Sequence, residues 1–269
     1  MEPILLGVLT AIAFVGGVLV TAVGPGGIFV VAALYGLTTL SEAVVAGTAS
    51  VTFVGGSALG AAGYASSDDI DWALAVPIGV GGALGTQVGV ALNAAVSRRL
   101  FGLLLGALLG VVGLTIVRSE RGYLDRGGGS RGPDAGLGGP GAGVAPASLA
   151  GIAVFGTIGL AIGTAGGLFG IGGAALVPPA LVLAGIPMIA ALAATQVAVV
   201  FIASAAAISY ALDGAIAVPL VFAVAGAYLV GAFGGWRLAK RVDPSRLTLA
   251  LGLTLLGLVP VLVYRSLTL

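Results

Sequence analysis

Two stretches of this chain place three glycines in four positions: Gly24-Pro25-Gly26-Gly27 and Gly170-Ile171-Gly172-Gly173. Glycine admits backbone angles that end a helix, and Pro25 removes one donor. A helix that stops and restarts leaves N–H groups unpaired, with the positive end of its dipole behind them. Such a bend can hold an anion without any cationic side chain. Further along each half stand residues that could add hydroxyl or amide donors: Thr48 with Ser50 and Thr52, and Thr195 with Gln196. Thr21, Thr164, Gln87 and Asn93 are further polar candidates inside apolar runs. Glu42 follows Ser41 as a first-turn acid behind an N-cap, and is also the one acid near these residues, which makes it a candidate proton relay. Asp71 and Asp213 precede matching apolar segments and read as helix starts.

Glycine also lets membrane helices approach closely, and the series Gly81, Gly85, Gly89 and Gly102, Gly106, Gly110 read that way. A phosphate loop is a poor reading of residues 163–173, because no Walker lysine and no acidic ribose partner follow. The chain has no cysteine and no histidine, which removes thiolate and imidazole chemistry and most transition-metal ligation. No cofactor and no metal are expected, and the apolar runs lack the acids and bases that catalysis leans on, so an enzyme is not expected. A net charge of +1 gives no electrostatic footprint for nucleic acid.

The elements that must position these residues are membrane helices. Hydrophobic residues make up 59% of the chain and charged residues 8%, against about 25% in soluble domains. No charge occurs from Pro3 to Ser41, from Ala43 to Ser67 or from Ala135 to Leu212. A helical crossing needs about 20 apolar residues, and a central charge costs about 2.5–3.5 kcal/mol or more. The expected fold is an all-α polytopic bundle. Crossings are expected at 4–23, 43–63, 72–92, 100–117, 148–167, 188–211, 215–236 and 247–264. The apolar segments 26–35 and 172–184 are too short to cross and read as re-entrant half-helices.

Between Gly127 and Gly143, nine of seventeen residues are glycine, so the stretch from Arg118 to Ala147 reads as a flexible linker. It separates an N-terminal repeat (1–117) from a C-terminal repeat (148–269). The glycine triplets match across the halves, as do Thr48 and Thr195, the stretches 71–77 and 213–219, and Arg98-Arg99 with Lys240-Arg241. These matches predict two homologous four-span halves, each with one half-helix. Four crossings per half would make the repeats parallel, whereas five would invert them; the shortness of segment 26–35 favours four. The paired basic residues then mark the cytoplasmic side. Both termini and the linker are expected outside the plasma membrane of a prokaryote.

The duplicated halves, the two glycine motifs, the sequence Ala-Leu-Val-Pro-Pro at 175–179 and the repeated threonines resemble the sulfite exporter TauE/SafE family over nearly everything outside the linker. The resemblance implies secondary transport of a small anion, such as sulfite, a sulfonate or a related sulfur oxyanion. The family's glycine motif falls on Gly24, Gly26, Gly27 and on Gly170, Gly172, Gly173. A further family glycine is replaced here by Ile28 and Ala174. The proline after the motif is present as Pro178 and replaced by Ala32 in the first half. A proton or sodium ion could couple the transport, and a homo-oligomer is compatible with this reading. The alternative is a channel or carrier for a neutral or cationic solute.

Overall fold

The computed structural model describes residues 3–22, 24–125, 145–184, 186–239 and 244–268. The described residues form α1 (Pro3–Ala22), a 3-10 turn (Pro25–Gly27), α2 (Ile28–Leu37), α3 (Glu42–Ala65), α4 (Trp72–Ala95) and α5 (Arg98–Asp125). After the expected linker come α6 (Leu149–Phe169), α7 (Val177–Leu183), α8 (Met188–Leu212), α9 (Val218–Ala239) and α10 (Pro244–Thr268). Among the described residues seven helices, α1, α3, α4, α5, α6, α8 and α9, are long and apolar enough to cross a bilayer. The expected eighth crossing lies within α10, whose apolar portion Gly252–Thr268 is shorter.

Local chemistry sets three of the helix starts. The Ser41 hydroxyl accepts from Val44 N, the Asp71 carboxylate from Ala73 N and Leu74 N, and the Ser148 hydroxyl from Gly151 N. Each side chain satisfies a donor that the first turn leaves unpaired. Asp213 departs from expectation. It closes the C-terminus of α8, and α9 begins only at Val218, because Gly214 (φ +67°) turns the chain first. Helix α5 runs past the expected crossing 100–117 to Asp125, its polar last turns extending beyond the apolar run. The rest of the expected linker, 126–144, lies outside the described residues.

Close backbone contacts fix the helix directions. Gly81 of α4 packs on Gly156 of α6, and Gly89 packs on Thr164, so these helices run parallel. Gly231 and Gly235 of α9 pack on Phe14 and Val18 of α1, also parallel. Along α3, Thr48 meets Ala217 and Gly56 meets the Tyr228 ring, making α3 parallel to α9. Gly47 of α3 meets Tyr210 of α8 while Gly60 meets Gln196, so that pair is antiparallel. Gly102 of α5 lies on Ser266 and Gly113 on Gly252 of α10, another antiparallel pair.

It follows that α1 and α3 run in one direction, and α6 and α8 in the other. A simple up-and-down series of eight crossings cannot do this. The short helices α2 and α7 are the return legs. One end of the bundle therefore carries the start of α1 and the end of α10, and the other carries the end of α5 and the start of α6. The short segments, although under spanning length, reverse the chain within the bundle.

Candidate functional site

Both triple-glycine stretches interrupt helices. After α1, Gly24 takes a positive φ of +106° and its N–H donates to Leu19 O at 3.2 Å. The 3-10 turn follows, and α2 opens at Gly27 with no side-chain cap. Every residue of α2 from Ile28 to Tyr35 is buried. After α6, Gly170 (φ +70°), Gly172 (+63°) and Gly173 (+79°) all lie in the left-handed region. Gly170 also sits against the backbone of Ala46, leaving no room for a Cβ.

The two bends meet. A Cβ added to Gly24 would stand 3.1 Å from Pro178 Cγ and 3.9 Å from Ala174 O. The Phe53 ring of α3 lies between them: a Cβ at Gly27 would be 3.2 Å from its edge, and one at Gly172 would be 3.8 Å away. Each bend packs on the second long helix of the other half, Gly24 on Leu192 of α8 and Gly170 on Ala46 of α3.

The second bend is rich in free donors. Its backbone bonds run from Ala174 N to Ile171 O and from Leu176 N and Val177 N to Gly173 O. The N–H groups of Ile171, Gly172, Gly173 and Ala175 make no such bond, and all four residues are buried. Successive amides in such a turn form an anion-binding concavity. The start of α7 adds no donor, because Val177 N is used and Pro178 and Pro179 have none.

The first bend is surrounded by polar side chains. Three buried atoms near it have no hydrogen-bond partner: Ser57 Oγ, Gln196 Oε1 and Tyr228 Oη. Phe53, Gly56, Ser57 and Gly60 stand at i, i+3, i+4 and i+7, one face of α3. The Tyr228 ring covers Gly56, and its hydroxyl would be 3.4 Å from a Cβ at Gly27. A Cβ on Gly60 would be 2.5 Å from Gln196 Oε1, while Gln196 Nε2 reaches Val20 O at 3.4 Å. A buried polar group left unpaired costs about 1–3 kcal/mol, so three together call for a ligand or water.

The remaining expected residues are placed as follows. Thr48 is fully buried and its Oγ1 accepts from Ala217 N at 3.0 Å. Thr195 donates to Ala191 O of its own helix at 2.6 Å. Thr48 lies toward the second bend and Gln196 beside the first, about 18 Å apart by helical rise along α3 from Thr48 to Gly60. Glu42 opens α3 about 16 Å from Phe53 on the same basis, away from the first bend but only about 6 Å along the helix from Ala46, on which Gly170 packs. Ser50, Thr52 and Thr164 bond to carbonyls of their own helices. Thr21 reaches Ala232 O, Asn93 reaches Leu168 O, and Gln87 accepts from Ser209, so these three bridge helices. Sequence reading missed Phe53, Ser57 and Tyr228. The small-residue face on α3 and a tyrosine within a charge-free run were the available signals.

The family profile described as Sulfite exporter TauE/SafE matches residues 9–261. The chain belongs to the sulfite exporter TauE/SafE family. No curated protein and no solved structure matches it. Family membership and the seven apolar helices make it a multi-pass membrane protein of a transporter family, which fits the expectation that it is not an enzyme.

Proposed function

We propose that this TauE/SafE chain is a secondary transporter of a small anion, a sulfur oxyanion such as sulfite or a sulfonate, in the plasma membrane of a prokaryote. The observation that carries the reading is the meeting of two helix breaks whose buried amides and hydroxyls lack partners. In a water-poor interior such preorganised dipoles favour negative charge without a cationic side chain. The amides of Gly172 and Gly173 hold the anion from one side, and the hydroxyls of Tyr228 and Ser57 donate from the other. Gly24, Gly26 and Gly27 give the first bend its close approach, and Gly170 sets the second. Thr48 and Thr195 hold the backbone around them.

We read the chain as two homologous repeats, 1–117 extended to the end of α5 and 148–269. Exchanging α1–α5 for α6–α10 turns the α1–α9 contact into α6–α4 and the α3–α9 contact into α8–α4, while α3–α8 and α5–α10 map onto themselves. All of these pairs are in contact. With the opposed helix directions, this supports inverted repeats of five legs, each with a re-entrant α2 or α7. Inverted repeats with a central broken-helix site are suited to alternating access. Liposomes carrying the purified protein should exchange labelled sulfite faster than empty ones. Flux equal to empty liposomes for sulfite and for several sulfonates would overturn the reading.

One observation favours a second reading, a cation at the first bend. Gln196 Oε1 is a pure acceptor, and with Ser57 Oγ, Tyr228 Oη and Val20 O it forms an all-oxygen set. A sodium ion there would couple the cycle or be the solute itself. Thermal stabilisation by sodium over choline, both as chlorides, would favour it; stabilisation by sulfite irrespective of the cation favours the anion.

A further inference from the structure

At the far end of α2, away from the glycine bend, two arginines converge on one carbonyl. Arg98, the first residue of α5, donates through Nη2 to Thr38 O at 2.9 Å and Tyr35 O at 3.3 Å. Arg265, in the last turn of α10, donates through Nη2 to the same Thr38 O at 3.4 Å. The Arg98 guanidinium also lies over the Tyr35 ring, 5.0 Å from its centroid. The Tyr35 hydroxyl in turn donates to Arg98 O and pairs with the Ser266 hydroxyl, both at 3.0 Å.

These bonds do not use the cations fully. Arg98 Nη1 and Arg265 Nε are buried with no acceptor. Two guanidinium groups sharing one neutral oxygen repel each other, and an unpaired donor on a charged group costs more than on a neutral one. Neither arginine pairs with a carboxylate among the described residues. A small, multiply accepting anion between the two forks would satisfy both, the geometry in which arginine excels. The surroundings are those of a bilayer boundary: Leu37, Leu100, Tyr264 and Leu267 on the same three helices expose apolar or aromatic side chains. Spans that end in arginine beside such residues sit at headgroup level.

We propose that Arg98 and Arg265 form a second oxyanion site, distinct from the glycine bends, that takes a phosphate-type group, either a lipid headgroup or the free ion. Bound there, the anion bridges α5 and α10 over the C-terminus of α2 and so clamps the return leg whose other end is the first bend.

The test uses the full chain, purified and stripped of lipid in a non-ionic detergent. Melting temperature is followed against short-chain phosphatidylglycerol and, separately, against inorganic phosphate, for the wild type, Arg265→Gln and Arg99→Gln. Arg99 is exposed, so its loss controls for net charge alone. Saturable stabilisation of the wild type is expected, with a midpoint at least tenfold higher in Arg265→Gln and unchanged in Arg99→Gln. Response to the lipid alone assigns a headgroup; response to both assigns the free ion as well. If neither probe stabilises the wild type, or if Arg265→Gln and Arg99→Gln shift alike, the proposal is overturned. Should Arg265→Gln not yield folded protein, Arg265→Lys replaces it, keeping the charge but losing the fork, with the same tenfold expectation.

Discussion

The two glycine bends share a composition but distribute their donors in opposite ways. In the first, Pro25 sits inside the bend and only Gly24 takes a positive φ. In the second, three glycines are left-handed and the prolines come afterwards, at the start of α7. Proline therefore removes a donor within the first bend, but in the second it silences the helix start and leaves the bend's own amides bare. The unpaired side chains of Ser57, Gln196 and Tyr228 gather at the first bend, where the backbone is poorer in donors. The comparison teaches that an apparent sequence repeat can conceal a division of labour, with backbone on one side and side chains on the other.

The largest expected effect tests the glycines themselves. Gly170→Ala must adopt a left-handed angle and also displace the Ala46 backbone. It should destabilise the protein by about 2–5 kcal/mol, seen as lost monodisperse yield and a lower melting temperature. Gly24→Ala meets only the side chains of Pro178 and Leu192 at its closest, so its loss should be smaller. Equal losses would erase the proposed difference between the bends.

Next come the unpaired hydroxyls. Tyr228→Phe and Ser57→Ala remove groups that have no partner in the ligand-free protein, so the melting temperature without anion should hold or rise. Sulfite affinity should fall about tenfold or more, the worth of a hydrogen bond to a charged group. A fall in stability with unchanged affinity would make both hydroxyls structural.

A smaller contrast separates the matched threonines. Thr48→Val strands the half-buried Ala217 N–H and should cost about 1–3 kcal/mol. Thr195→Val loses only a bond to its own helix, and should cost under about 1 kcal/mol. Thermal melts of the two variants decide this. Reversal of the order would mean that Thr195 holds something else. The smallest effect is expected at Glu42, the first-turn acid of α3 where α8 begins with Met188. Glu42→Gln should shift stability by about 0.3–1 kcal/mol and leave the pH profile of sulfite flux unchanged. A moved profile would restore the relay.

Much of this was legible from residues alone. Charge-free runs place the long helices to within a few residues, because the bilayer penalises charge far more than any local propensity can offset. Ser41 and Asp71 announce helix starts through short-range hydrogen bonds that need no tertiary context. Direction was not legible: whether segments 26–35 and 172–184 reverse the chain depends on how their ends pack, and their length alone argued against it. Nor was most of the first bend's lining: Gln196 stood out, but Ser57 and Tyr228 lie on other helices far apart in sequence. Asp213 misled because its match with Asp71 is one of sequence, while Gly214 redirects the chain before the next helix can begin.

The pairing of α1 with α9 and of α4 with α6 has a last consequence. Both of these seams of small residues join a helix from before residue 126 to one from after residue 144, so the two pieces share one interior. A gene cut at residue 135 should give two insoluble fragments when each is expressed singly, and a working protein only when both are made in the same cell.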